Sequence, residues 1–234
     1  MQRLQRVTED EIIAEFLKNE FYQEEFHHDR ERYEELVLRA DLTDETSNAL
    51  RRALLFRRRG HLWRELPSDT QWWEVQVEEE DLDRIRVFPR AQWRTISDGS
   101  FYLKDIVKRV RNQSFHGNTR KYIAKVQALS YRLRTARDNS AVLLVGIDDR
   151  EPMTVLEGNH RVTAALLASP EVLCRQFRVF GGFSPRMVES CWYETNLPNL
   201  WRYAKNRFRN LIYDRDADVQ RVLRPALSGA ETVS

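Results

Sequence analysis

Along the first sixty residues the apolar positions recur at helical spacing. Ile12, Ile13, Phe16, Leu17 and Phe21 mark one helix, opened by a Thr8–Glu11 capping-box pattern. Tyr33, Leu36 and Leu38 mark a second, over about 29–39. Thr43 is placed to cap a third, which carries Leu50, Leu54, Leu55 and Phe56 and stops near Gly60. After Pro67 the period changes. Trp72, Trp73, Val75 and Val77 predict a strand. Ile85, Val87 and Phe88 alternate with Arg84, Arg86 and Arg90 as a short half-buried strand or an extended loop ending at Pro89. Residues 101–112 and 118–135 read as helices. The continuous apolar run 141–147 predicts a buried strand, 148–152 a polar turn, 153–156 the next strand and 160–168 a helix. Residues 173–180 alternate as a further strand, broken by Gly181-Gly182, and Ser184-Pro185 opens another helix. The stretch 201–223 is basic, aromatic and helical in pattern, and the last seven residues read as a frayed tail.

The expected fold class is α+β, in three parts: a helical N-terminal region (1–66), a mixed domain (67–198), and a basic helical segment with its tail (199–234). A chain of 234 residues can bury a core of its own. No run approaches the roughly 20 apolar residues that a membrane span needs, so a membrane is not among the expected partners. Neither Cys174 nor Cys191 has metal-ligand spacing or belongs to a disulfide framework. With no apolar leader at the N-terminus, two plain thiols point to a reducing cytoplasm.

Charge divides the chain. Residues 1–50 hold six Lys/Arg against fourteen Asp/Glu, and the remainder holds 32 against 22. An acidic front and a basic body suggest regions that lie against each other, and an anionic ligand for the basic part. Lys104, Lys108, Arg109, Arg111, Arg120, Lys121 and Lys125 form one basic belt; Arg202, Lys205, Arg207 and Arg209 form another, among Trp201, Tyr203 and Phe208. Direct nucleic-acid binding and docking of the acidic helices are both open for these belts. Arg57-Arg58-Arg59 has a structural reason in the last turn of its helix, where the dipole favours cations. His27-His28 lacks partners at zinc spacing.

The chemistry concentrates at Glu157-Gly158-Asn159-His160-Arg161, where a strand hands over to a helix. Gly158 permits a tight turn and close backbone approach. Asn159 is placed as the cap. The first-turn N–H groups and the positive dipole end make an anion site, to which His160 and Arg161 add donors. Thr163 follows one turn later as a further candidate contact. Ala164, Ala165 and Ala168 let the helix pack close to a sheet. Glu157 is placed to take a proton or hold a metal ion, and Asp148, beside Asp149 at the end of the preceding strand, is a second metal candidate. Such a site requires an open corner and an Arg161 that is not consumed by a structural ion pair. Gly181–Pro185 is a second strand-to-helix turn that would flank the same mouth, and His116 lies in a polar break between helices.

Glu157-Gly158-Asn159-His160-Arg161 followed by Ala164 resembles the (D/E)-G-x-H-R-x-x-A signature of the ParB/sulfiredoxin superfamily. The segment from Arg86 to Arg94, with Pro89 and then Arg90, is similar to the stretch that follows the family's first strand. The resemblance covers roughly 70–195 and implies a mixed sheet with packed helices; residues 1–65, the N-terminal helical extension, and 200–234 lie outside it. It also implies a nucleoside triphosphate, ATP or CTP, with Mg2+. Its phosphates would sit on Gly158, Asn159, His160, Arg161 and Thr163, with Arg94 as a further clamp. Sulfiredoxins carry their reactive cysteine where this chain has Asn159. The partitioning proteins carry Glu-Arg-Arg at the turn and a helix-turn-helix after it. The acid-Gly-x-His-Arg form is nearest to the kinase-like members. The expectation is a nucleotide-dependent phosphotransferase acting on a small hydroxyl-bearing substrate, with Glu157, His160 and Arg161 as its catalytic set. A nucleotide-gated or plain DNA-binding protein, an inactive binding module of the same fold, and a homodimer stay open.

Overall fold

The computed structural model describes residues 1–89, 91–212 and 215–223. In chain order its main elements are β1 (Gln2–Val7), α1 (Glu9–Glu20), α2 (Arg30–Leu38), α3 (Glu45–Trp63), β2 (Gln71–Gln76), β3 (Ile85–Arg86), α4 (Ala91–Ser97), α5 (Leu103–Asn112), α6 (Gly117–Leu133), β4 (Ala141–Gly146), β5 (Met153–Glu157), α7 (Asn159–Ala168), α8 (Pro170–Gln176), β6 (Arg178–Phe183) and α9 (Leu197–Arg209). The class is α+β: a six-stranded mixed sheet with packed helices.

The chain forms two compact units. One comprises Met1–Val7 and Asp69–Val188, and the other comprises Thr8–Ser68 and Glu189–Ser234. This corrects the three-part division in two places. The first seven residues belong to the sheet, and the N-terminal and C-terminal helices share one unit. The tail, 224–234, lies outside the described residues, as does Arg90.

In the sheet unit the strand order is β1-β2-β6-β4-β5-β3. β4 runs parallel to β6 and antiparallel to β5, and β3 runs parallel to β5. β4 is buried along its whole length, as expected of an unbroken apolar run. α5 shows why a helix packs beside the sheet. Leu103, Ile106, Val107 and Val110 recur at three- and four-residue steps and are all buried. Each such side chain contributes about 1.5–3 kcal/mol on burial. The rest of α5 carries four residues of the first basic belt, and three of them are partnered within their own unit. Lys104 pairs with Asp83 at 2.7 Å and Arg109 with Asp98 at 3.0 Å. Arg111 donates to the carbonyls of Leu166 and Leu167 at the end of α7.

Two sequence expectations fail around β6. Residues 173–176 are helical: Ser169 caps α8 and Pro170 opens it. Gly181 and Gly182 do not break the strand but lie inside it. A Cβ on Gly182 would stand 2.6 Å from the Trp72 ring, and one on Gly181 would stand 2.7 Å from the Phe183 ring. The glycines make room for aromatic rings lying over the strand.

In the helical unit, Thr8 Oγ1 accepts from the Glu11 N–H and starts α1 as its sequence predicts. Asp44, rather than Thr43, caps α3. That helix continues past Gly60 to Trp63, so Arg57-Arg58-Arg59 lies inside it rather than in a last turn. Gly60 is a point of close approach, since a Cβ there would stand 2.5 Å from Asn210 Oδ1. The arginines neutralise the acidic front from within the same unit. Arg52 holds Glu9 at 2.6 Å, Arg57 and Arg58 hold the buried Asp29, and Arg59 holds Glu20 and Glu25. Within this unit, α3 therefore supplies cations to the acidic N-terminal helices.

Candidate functional site

β5 ends at Glu157, and the chain turns through Gly158 at φ 102° and ψ 16°, left-handed backbone that favours glycine. Gly158 occupies the cap position of α7, and no side chain caps this helix. The contrast with α1, α3, α8 and α9 is direct, because Thr8, Asp44, Ser169 and Asn196 each accept a first-turn N–H there. The first intrahelical bond of α7 runs from the Val162 N–H to the Gly158 carbonyl. The N–H groups of Asn159, His160 and Arg161 precede it and form the first turn.

Asn159 is not the cap. Its side chain is buried, and its Oδ1 accepts the Phe88 N–H at 2.8 Å. The bond joins the helix start to the segment after β3, 71 residues away in sequence. The two stretches that carry the family resemblance therefore meet in space. A second contact joins them: the His160 ring lies 5.7 Å from the Trp93 ring of α4 and 4.7 Å from the Tyr122 ring of α6. His160 is thus an exposed residue resting on an aromatic cluster. Thr163 is fully buried, and its hydroxyl donates to the Asn159 carbonyl at 2.7 Å. It faces the core and cannot line the turn's outer side, which corrects the expectation of a ligand contact there.

Arg161 is engaged. Its Nη2 lies 2.6 Å from Glu157 Oε1, and the two side chains retain 13% and 17% of their exposure. The condition of an uncommitted guanidinium is therefore not met, and the pair is part-buried. Arg94 is exposed on α4, beside Trp93 in sequence, and its Nε donates to the Pro89 carbonyl at 3.0 Å.

Strand direction removes two candidates. β4 and β5 form an antiparallel hairpin, pairing Leu143 with Glu157 and Val145 with Thr154. Asp148 lies in the hairpin turn and Glu157 at the far end of β5. At about 3.3 Å per residue they are separated by more than roughly 13 Å along the strand. Asp148 accepts from the Arg150 and Glu151 N–H groups at 2.7 and 2.9 Å, and these bonds hold its carboxyl below the usual range. Asp149 pairs with Arg3 at 2.8 Å. The Gly181–Pro185 turn lies at the Asp148 end of the sheet, away from Glu157, since Phe183 pairs with Gly146 and the Ser184 N–H bonds the Gly146 carbonyl.

The residues fit a phosphate better than they fit a metal ion. Among the described residues no three His, Cys, Asp or Glu side chains converge. Glu157, the acid at the turn, already holds a guanidinium. The turn itself offers glycine backbone, an uncapped helix start and a forked cation, which is the donor set that phosphate oxygens require.

No family model, curated protein or solved structure matches this chain. The site therefore rests on its own geometry. Sequence reasoning did not single out Tyr122, whose position among Arg120, Lys121 and Lys125 hides it within a basic stretch. Trp93 was visible only as a neighbour of Arg94.

Proposed function

We propose that the β5–α7 turn binds the phosphates of a nucleoside triphosphate, ATP or CTP, and that the protein is a nucleotide-dependent phosphotransferase acting on a small hydroxyl-bearing substrate. The fold assignment that accompanies this reading is ParB/sulfiredoxin-like. The observation that carries it is the start of α7, which presents its first turn without a side-chain cap, next to Arg161. An incoming phosphate would compete with Glu157 for the guanidinium. Transfer of the guanidinium to the phosphate would release the Glu157 carboxylate. The released carboxylate could then take the proton of the attacking hydroxyl as its oxygen bonds to the terminal phosphorus and the bond to the leaving diphosphate breaks. His160, braced by Trp93 and Tyr122, would steady the helix start. A metal ion, where the nucleotide brings one, would neutralise phosphate charge; among the described residues no three His, Cys, Asp or Glu side chains assemble a site for it.

The Glu157–Arg161 pair also favours a second reading. If that pair stays closed, the fold is a nucleotide-binding module without transfer chemistry. Isothermal titration with ATP, CTP and GTP, with and without magnesium, tests the binding. Arg161→Ala should weaken a productive nucleotide by about 10–100-fold, the usual worth of a charge-assisted contact. No binding by any nucleotide removes both readings. Binding without phosphate transfer to free serine or other small hydroxyl compounds, together with no effect of Glu157→Gln, selects the module. Gel shifts at two salt concentrations test the DNA-binding alternative, which fails if duplex and single strand are both silent at low salt.

A further inference from the structure

α9 is amphipathic in the wrong sense for a helix that faces water. Its buried face is polar: Asn199 is buried, Asn206 donates to Glu65 at 2.6 Å, and Tyr203 meets the His61 ring of α3. The opposite face carries Leu197, Trp201 and Phe208, continued by Leu211 in the turn that follows, at four-, seven- and three-residue steps on one side of a 3.6-residue repeat. These four side chains are 82%, 74%, 64% and 80% exposed. Leu200 and Ile212 widen the stripe. Scattered exposed apolar residues are ordinary, but a continuous helical stripe of them is not.

The rim of the stripe decides its occupant. From Leu197 to Arg209 there are four basic residues and no acidic one. Arg202 pairs with Glu189, and Arg209 lies 3.7 Å from Asp216. Lys205 and Arg207 make no ion pair with any described residue, and they flank the stripe on opposite sides. A second copy of the chain would bring like charges together along this rim. Stacked bases would use Trp201 and Phe208 but not the aliphatic residues between them. An apolar stripe with a tryptophan, bordered by long cationic side chains, suits an anionic bilayer surface. The stripe enters the acyl boundary while the cations reach the headgroups.

We propose that α9 is an interfacial helix that docks this protein on membranes rich in anionic lipid. No described helix is long and apolar enough to cross a membrane. The contact is peripheral, and it departs from the expectation that a membrane is not a partner. It is independent of the nucleotide reading.

Co-sedimentation of the full chain with vesicles tests it. Vesicles of phosphatidylcholine with about a quarter phosphatidylglycerol should carry the protein down, and pure phosphatidylcholine should do so at least roughly tenfold less well. Raising salt from about 0.1 to 0.5 M should weaken binding several-fold. The triple variant Leu197→Ser/Trp201→Ser/Phe208→Ser removes exposed side chains only. It should keep its circular dichroism and lose binding by about a hundredfold or more. Lys205→Gln/Arg207→Gln should reduce binding to anionic vesicles without changing the weak binding to neutral ones. The proposal is overturned if wild type stays in solution with anionic vesicles at low salt, or if the triple variant pellets as wild type does. It is equally overturned if the stripe proves to drive self-association in ultracentrifugation with no vesicle binding.

Discussion

Replacing Gly158 by alanine tests the turn on which the site is built. A non-glycine residue in left-handed backbone costs about 1–2 kcal/mol. Space adds to this. The new Cβ would lie 3.3 Å from Val142 Cγ2 and 3.4 Å from Arg161 Nη2. Val142 is buried in the central strand β4 and cannot retreat, so the crowding adds up to about 1 kcal/mol. The stiffer unfolded chain returns about 0.4–1 kcal/mol. Taking the middle of each range, the net expected loss is about 1.3 kcal/mol. Gly99→Ala is the control, with a φ of 94° and nothing within 4 Å of the added methyl group. It carries the backbone cost alone. Urea unfolding followed by circular dichroism measures both, and Gly158→Ala should be the weaker of the two. A wild-type midpoint for Gly158→Ala would show that the left-handed turn does not constrain this strand-to-helix corner. Equal losses for the two variants would show that Val142 and Arg161 do not crowd it.

Asp148→Asn should leave nucleotide affinity unchanged by titration, with and without magnesium, because its carboxylate belongs to the hairpin turn; a tenfold loss would restore Asp148 to the site. Burial, followed by the charges of Glu78, Glu79, Asp81 and Glu171, pushes the Cys174 thiol up to about 11. At pH 8 only about one molecule in a thousand should carry the thiolate, so iodoacetamide should label Cys174 far more slowly than a free thiol, at a rate that climbs up to pH 11. Hydrogen bonds from Arg178, opposed by burial and aided by Gln5, hold the Glu74 carboxyl below its ordinary range, so one side chain ties β2 to both neighbours. A carboxylate lowered in this way stabilises the fold above its unfolded value, and the contribution is lost as pH falls through the folded value. Acid unfolding of Glu74→Gln should therefore lose the part of its pH dependence that lies below about pH 4.5, and an unchanged profile would refute the role.

Local chemistry was readable from the residues alone. The stripe Leu103, Ile106, Val107, Val110 can be satisfied only by a helix with one face covered, and 141–147 only by a covered strand. Gly158 between a strand and an alanine-rich helix announces a turn because the backbone needs it, whatever lies around it. The Ser169-Pro170 cap of α8 was equally local, yet the alternation over 173–180 obscured it, since so short a run fits either period. Other features had no local signal. β1 is polar and lies at the sheet edge, where Leu4 stays exposed, so only its pairing with β2 makes it a strand. Gly181 and Gly182 stand in the strand as glycines because Trp72 and Phe183 need the space above them, and Gly60 stands in its helix as glycine because Asn210 approaches it. The separation of Asp148 from Glu157 and the partnership of Glu157 with Arg161 depend on strand direction and side-chain packing. The apolar stripe of α9 was present as a pattern, but which face packs inward was decided by Asn206, bonded to Glu65 just past α3, and by Tyr203 against the His61 ring. A residue's type and spacing set what it can do, whereas its partners come from distant parts of the chain, and only the folded arrangement supplies them.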